Sequence, residues 1–68
     1  MKVLFSERFR ELRLERNLSR VELAKILQVN ARTISYWELG QRECNFSQLC
    51  EISKFFNVSV DYLLGLED

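Results

Sequence analysis

One local pattern of apolar and polar positions occurs four times along the chain. An apolar residue precedes a Ser or Asn, and a second apolar residue follows four positions after that polar residue. The four occurrences are Leu18-Ser19 with Leu23, Val29-Asn30 with Ile34, Cys44-Asn45 with Leu49, and Val58-Ser59 with Leu63. The polar side chain can cap the free amides of a helix start, and the two apolar side chains can touch across it. The pattern therefore predicts the beginnings of four helices.

A fifth helix and the helix ends complete a predicted all-α fold. Ser6 is expected to open the first helix, without the flanking apolar pair. Gly40 and Gly65 are expected to end the third and fifth helices in the left-handed conformation that glycine tolerates. No stretch alternates apolar and polar residues for long enough to form a sheet. The prediction is one compact five-helix domain over residues 1–68, with helices at about 6–16, 19–27, 30–39, 45–56 and 59–64.

Apolar positions recur at helical spacing within each predicted helix, which indicates one shared core. The expected core residues are Phe9, Leu12, Leu23, Ala24, Leu27, Ile34, Trp37, Phe46, Leu49, Ile52, Ser53, Phe56, Val60, Leu63 and Leu64. Ala24 is notable because it is small. Two helices joined by a tight turn at Gln28-Val29 need a small residue where they approach each other.

The composition excludes several classes of protein. The 68 residues are 47% hydrophobic, which is enough for one small core. No apolar run approaches the ~18 residues that span a bilayer, and no signal peptide is recognisable, so a cytoplasmic location is expected. Cys44 and Cys50 lack the further Cys or His ligands of a zinc site and are expected to be buried or half-buried apolar residues. We expect no metal, cofactor or small-molecule ligand, and no enzyme, since there is no histidine or phosphate-binding loop.

The charge balance gives a mixed indication about nucleic acid. Ten basic and ten acidic residues give a net charge of zero, whereas nucleic-acid binders usually carry a basic excess. The distribution is uneven, however. From residue 20 to residue 42 there are four cations (Arg20, Lys25, Arg32 and Arg42) and only two acids (Glu22 and Glu38). The sequence therefore permits a basic face on a neutral molecule.

The third predicted helix leaves a short, nearly neutral face outside. With Ile34 and Trp37 inward, a helical wheel places Ala31, Arg32, Ser35, Tyr36 and Leu39 outward. Arginine suits guanine, hydroxyl groups suit several base edges, and a methyl group suits thymine in a major groove. The wheel alone favours an ordinary solvated helix face over a base-reading one.

The order of motifs across the chain is more specific evidence than the helical wheel. Residues 18–40 contain Leu23-Ala24, Val29 before the third cap, Thr33-Ile34-Ser35, and Trp37-Glu38 two residues before Gly40. In this register the segment closely resembles the helix-turn-helix of the lambda-repressor-like, Cro-type family of transcriptional regulators. Residues 57–65 are similar to the closing helix of that family. The resemblance covers residues 6 to 65.

The resemblance implies roles for particular residues. Residues 30–39 would be the recognition helix in the major groove, with Ala31, Arg32, Ser35 and Tyr36 as base readers. Ser19, Arg20, Gln41, Arg42 and Asn45 would contact phosphate. Arg13 and Glu38 would form an internal ion pair. Three positions depart from the family pattern, which often has Gln at Arg20, Gly at Gln28 and Pro at Cys44.

Two functions from different classes remain after this reading. The first is sequence-specific binding of double-stranded DNA, as a transcriptional regulator and in particular a repressor, by a homodimer on a near-palindromic operator. Phe55, Tyr62 and Leu66 are candidates for the dimer surface. The alternative is a protein-interaction module that keeps the fold without binding DNA, which the neutral charge, the bulky Phe55 and the exposed Leu39 would fit.

Overall fold

A computed structural model describes residues 4–67, which form five helices joined by short connections. The helices are α1 (Phe5–Glu15), α2 (Arg20–Leu27), α3 (Ala31–Glu38), α4 (Phe46–Phe56) and α5 (Val60–Leu64). Within this range there is no strand, and none of the helices is long and apolar enough to cross a membrane. The predicted all-α, five-helix fold is confirmed.

Helices α2 to α5 begin at the predicted caps. Ser19, Asn30, Asn45 and Ser59 each accept a hydrogen bond from the backbone N–H three residues later, at 2.8–3.0 Å. At Ser19 and Asn45 the Glu22 and Gln48 side chains accept in return from the backbone N–H of the capping residue. These two reciprocal pairs satisfy amides that a helix start otherwise leaves free.

The predicted cap of the first helix, Ser6, is wrong by two residues. Leu4 occupies the cap position and makes no side-chain bond there, and Ser6 lies within the first turn. Burial of Phe5, which stacks on Phe9 with ring centroids 5.3 Å apart, explains the earlier start. The backbone of Leu4 is itself held, because its N–H donates to the Leu64 carbonyl at 3.3 Å.

All five helices end in the same way. The residues Asn17, Gln28, Gly40, Asn57 and Gly65 have φ between 56° and 83°, in the left-handed region. In each case the N–H of the following residue donates to a carbonyl five positions earlier, as Val29 does to Ala24 at 3.0 Å. This is the Schellman motif, which satisfies carbonyls that a helix end leaves free. The left-handed glycines predicted at 40 and 65 are confirmed.

The core is centred on Phe9, which is fully buried. Its ring meets Trp37 and Phe56 edge-on, at centroid distances of 5.7 and 6.2 Å, a favourable arrangement for aromatic pairs. Trp37 is 2% exposed, as predicted. The core therefore joins α1 to both α3 and α4.

Two expectations about α4 are wrong. Phe46, predicted to be buried, is 87% exposed. It is the first residue of the helix, and because helical side chains lean toward the N-terminus, no preceding turn of α4 covers it. Cys50 is exposed while Cys44 is half-buried. Residue 50 lies about 200° around the helix from the buried Ile52, so it faces away from the core.

Candidate nucleic-acid interface

The joint between α2 and α3 is a three-residue connection, Gln28-Val29-Asn30. Gln28 takes the left-handed conformation, Val29 packs against the core, and Asn30 caps α3. Ala24 of α2 is buried, as predicted, and its carbonyl accepts from the Val29 N–H at 3.0 Å. The joint therefore fixes α3 against α2 by local geometry.

A buried ionic cluster holds the other end of α3. Two nitrogens of Arg13 donate to the Glu38 carboxylate, at 2.6 and 3.2 Å, and the Glu38 side chain is only 1% exposed. The predicted ion pair is confirmed. A third nitrogen of Arg13 donates to the Leu18 carbonyl at 2.9 Å, so the cluster ties α1 to α3 and to the connection before α2.

Arg20 joins this cluster, which the sequence reasoning missed. Its Nε donates to Glu38 Oε1 at 3.2 Å, while the side chain remains 43% exposed. One N–H of Arg20 is therefore directed inward, and the outer nitrogens of the guanidinium remain available to a ligand. The signal in the sequence is weak, because residues 20 and 38 lie on different helices.

The four predicted base readers differ in exposure. Arg32 is exposed, and within residues 4–67 its side chain forms no hydrogen bond or ion pair. Ala31, Ser35 and Tyr36 are half-buried, and the Ser35 hydroxyl donates to the Ala31 carbonyl at 3.3 Å. Ser35 therefore offers its oxygen as an acceptor without breaking that bond. Arg32 is the one fully exposed member of this set.

Tyr36 has a partner that the sequence did not reveal. The guanidinium carbon of Arg42 lies 4.5 Å from the centroid of the Tyr36 ring. A cation at this distance over an aromatic face is attracted by the ring quadrupole. A predicted base reader and a predicted phosphate contact are thus in direct contact with each other.

The remaining candidates for phosphate contact have hydrogen-bond donors that are not used in capping the helices. The capping bonds of Ser19 and Asn45 use their side-chain oxygens as acceptors, so the Ser19 hydroxyl hydrogen and the Asn45 amide hydrogens can still donate. The first backbone amides of α2 and α4 have no partner within their helices. The side chain of Gln41 is exposed, and its backbone N–H donates to the Tyr36 carbonyl at 2.9 Å.

Burial changes the charge balance around α3. The four cations between residues 20 and 42 are all exposed, whereas Glu38 is buried and paired with Arg13. Glu22 is the exposed acid in that range. The segment therefore presents more positive charge to solvent than its formal count indicates.

These features define an all-helical domain in which two short helices, joined by a tight turn, present the outer face of the second helix. The sequence matches the family model described as helix-turn-helix over residues 9–63. The chain therefore belongs to the helix-turn-helix family, and the resemblance to lambda-repressor-like, Cro-type regulators is confirmed.

One curated relative and two solved structures illustrate the relationship. The chain is 42% identical over 64 residues to the HTH-type transcriptional activator BcrR of Enterococcus faecalis, covering 94% of this chain and 31% of that protein. The structure matches the P22 c2 repressor in complex with a synthetic operator, with a TM-score of 0.87 and 34% identity over 94% of this chain and 97% of that one. A transcriptional regulator from Listeria innocua gives a TM-score of 0.92 at 26% identity, covering all of this chain and 64% of that one. The chain thus spans about a third of BcrR and under two thirds of the Listeria regulator.

Proposed function

We propose that the chain binds double-stranded DNA in a sequence-specific manner, as the DNA-reading part of a transcriptional regulator. The observation that carries the proposal is the exposed Arg32, which has no partner within residues 4–67, on the outer face of α3. The inner face of α3 is fixed by Trp37 and Glu38. The P22 c2 repressor, which is 34% identical and matches 94% of this chain, forms a complex with a synthetic operator. We assign α3 to the major groove.

Within this proposal the outer face of α3 reads bases. Arg32 lies in the first turn and is assigned to a guanine, whose two acceptors match its fork of donors. The hydroxyl groups of Ser35 and Tyr36 can bond to base edges, and the methyl group of Ala31 can contact thymine. Ser19, Arg20, Gln41, Arg42 and Asn45 are assigned to phosphates, which set the position of the domain on the duplex.

We further propose that two copies bind a near-palindromic operator. One domain of this size offers few contacts, and two-fold dimers of this architecture read half-sites centred ~34 Å apart. Leu66 is exposed, and Phe55 and Tyr62 are half-buried beneath the guanidinium groups of Arg16 and Arg8. These three residues are the candidate dimer surface. Footprints that cover both half-sites together at saturation are the expected result.

Repression is the proposed outcome, because a domain seated in the major groove obstructs other proteins at that site. A cytoplasmic location follows from the proposed function, since the operator is there in a bacterium. No catalytic activity is proposed, in line with the family of regulators to which the chain belongs.

Selection from a random DNA pool tests the proposal directly. Recovered duplexes should share a two-fold motif, and their affinity should fall steeply with salt as counterions are released. Binding to a scrambled duplex of equal length should be weaker and equally salt-sensitive. Recovery of no common motif, with no preference over the scrambled duplex, would contradict sequence-specific reading.

The alternative of a protein-interaction module has one structural observation in its favour. Leu39, at the end of α3, is 64% exposed. Phe55 is half-buried against the core, so it offers less apolar surface to a partner than Leu39 does. A titration against random duplex at low salt separates the two functions, because a DNA-binding domain shows at least weak binding there and an interaction module shows none.

A further inference from the structure

The contact between Arg42 and Tyr36 crosses the end of the recognition helix. Tyr36 lies in α3, and Arg42 lies two residues beyond the left-handed Gly40. The guanidinium carbon is 4.5 Å from the ring centroid. A guanidinium group is planar and stacks on aromatic faces in a way that an ammonium group does not.

The backbone directs this contact. The N–H of Gly40 donates to Trp37 and the N–H of Gln41 donates to Tyr36, at 3.3 and 2.9 Å. These two bonds turn the chain back over the last turn of α3, and Gly40 permits the turn with φ at 72°. The residue that follows Gln41 is therefore brought over the Tyr36 side chain.

The same connection differs from the others in length and in composition. Between α1 and α2, α2 and α3, and α4 and α5, the left-handed residue is followed at once by an apolar residue and a helix cap. Between α3 and α4, three polar residues (41–43) are inserted before Cys44 and Asn45. The shorter connections show that a helix pair can be joined without such residues. The turn after α3 is itself closed by the backbone bonds of Gly40 and Gln41, in which the Arg42 side chain takes no part.

We propose that Arg42 is a positioning residue that fixes the direction in which Tyr36 presents its hydroxyl group to a base. The inference rests on the proposed function and assigns a specificity role to a residue outside α3. Within residues 4–67 the Arg42 guanidinium has no hydrogen-bond partner, so its N–H groups can bond a phosphate while the group lies over the ring. The contact of Arg42 with a DNA phosphate and the reading of a base by Tyr36 are then coupled, because the two side chains touch each other.

Four proteins test the coupling: wild type, Arg42→Lys, Tyr36→Phe and the double variant. Lysine keeps the positive charge but loses the flat stack, whereas phenylalanine keeps the ring but loses the hydroxyl group. The base pair that Tyr36 reads is the one whose preference Tyr36→Phe changes. The measured quantity is the ratio of affinities for the selected operator and for the operator altered at that pair. Arg10→Lys, an exposed arginine of α1, is the matched control.

Arg42→Lys should lower this ratio by about two- to fivefold, the range for an exposed cation–π contact, and leave the salt slope unchanged. In the Tyr36→Phe background the same change should have no further effect on the ratio. Arg10→Lys should leave the ratio at the wild-type value. The signals of the Arg42 side-chain protons, shifted by the Tyr36 ring in the free protein, report the stack without DNA.

Each other outcome overturns the inference in a recognisable way. If Arg42→Lys weakens both operators equally, or acts as strongly in the Tyr36→Phe background, Arg42 acts on phosphate alone. If Tyr36→Phe changes no base preference while the wild type stays selective, the inference is wrong and the proposed function stands. If the wild type prefers no duplex, the proposed function fails and the inference fails with it.

Discussion

Arg20 begins α2 and Glu38 ends α3, yet the Nε of the first donates to Oε1 of the second at 3.2 Å. The same carboxylate accepts two bonds from Arg13. One buried acid therefore balances two guanidinium groups from different helices. The start of α2 and the end of α3 are held together by this carboxylate, in addition to the packing of their apolar faces.

Glu38→Gln should destabilise the fold by ~3–5 kcal/mol, because it removes the charge that neutralises a buried partner. The amide keeps the size of the side chain, so the loss reports charge and hydrogen bonding. Urea unfolding followed by Trp37 fluorescence measures it. Arg20→Ala is the comparison and should cost less than ~1 kcal/mol, because exposed ion pairs contribute little. Equal midpoints for Glu38→Gln and the wild type would refute this account of the cluster.

Arg32→Ala should weaken operator binding by ~1–3 kcal/mol and relax the preference at one base pair in each half-site. The reason is the loss of a two-pronged contact with guanine. Affinities for operator and random duplex, measured at several salt concentrations, check this. Lys25→Ala removes another exposed cation in the same region and should leave base preference unchanged. An equal loss on both duplexes would reassign Arg32 to a phosphate.

Gln28→Gly should raise stability by less than ~1 kcal/mol. Gln28 has φ at 59°, a conformation that glycine adopts without strain. The greater freedom of glycine in the unfolded chain opposes the gain, which keeps it small. Asn57→Gly is the comparison, since asparagine already tolerates this region and should gain less. A clear fall in the thermal midpoint of Gln28→Gly would count against strain at this turn.

Gly65→Ala should destabilise the domain more than Gly40→Ala. Both glycines have positive φ, and that alone costs alanine ~1–2 kcal/mol. A Cβ at Gly40 would meet Ser6 Oγ at an ordinary 3.5 Å, whereas a Cβ at Gly65 would lie 2.8 Å from Leu4 Cγ. The crowding at Gly65 adds ~1–3 kcal/mol. Thermal unfolding of the two variants side by side gives the order, and the reverse order would be inconsistent with the packing of Leu4.

Stability should fall on acidification partly through Glu22. The backbone N–H of Ser19 bonds to this carboxylate and holds the pKa of Glu22 below its ordinary value of 4.5. Because the folded pKa is the lower one, the contribution is complete above pH 4.5 and is lost as the pH falls through the folded value. Glu22→Gln keeps the acceptor oxygen and should show a shallower decline of thermal midpoint below pH 4.5. Glu51→Gln, an exposed acid of α4, should follow the wild type.

Much of the fold was predictable because its signals are local. A Ser or Asn cap and the apolar residue before it act within one helical turn, so four helix starts could be located from the sequence. The ends at Asn17 and Asn57 share the left-handed geometry of the two glycines. Asparagine is an ordinary choice there, and the apolar residue that follows each of them was the available signal.

The errors and omissions concern side chains whose surroundings are set by the tertiary structure and not by spacing along one helix. Phe46 has the spacing of a core residue, but it is the first residue of α4 and its side chain is largely exposed. The Arg20–Glu38 bond and the Arg42–Tyr36 stack join residues 18 and 6 positions apart across a turn or a helix end. Spacing along one helix carries no information about such contacts, whereas the Arg13–Glu38 pair could be predicted because the family resemblance supplied it.

The five helix ends also bear on how the chain reaches this structure. Each is closed by hydrogen bonds between residues no more than five positions apart, so it forms with little loss of chain entropy. The hydrogen bond from Leu4 to Leu64, in contrast, can form only after nearly all of the described chain has folded. A topology dominated by local closures has low contact order, which is typical of rapidly folding helical domains. The joint between α2 and α3 is closed by such local hydrogen bonds, so its geometry can form before Leu4 meets Leu64.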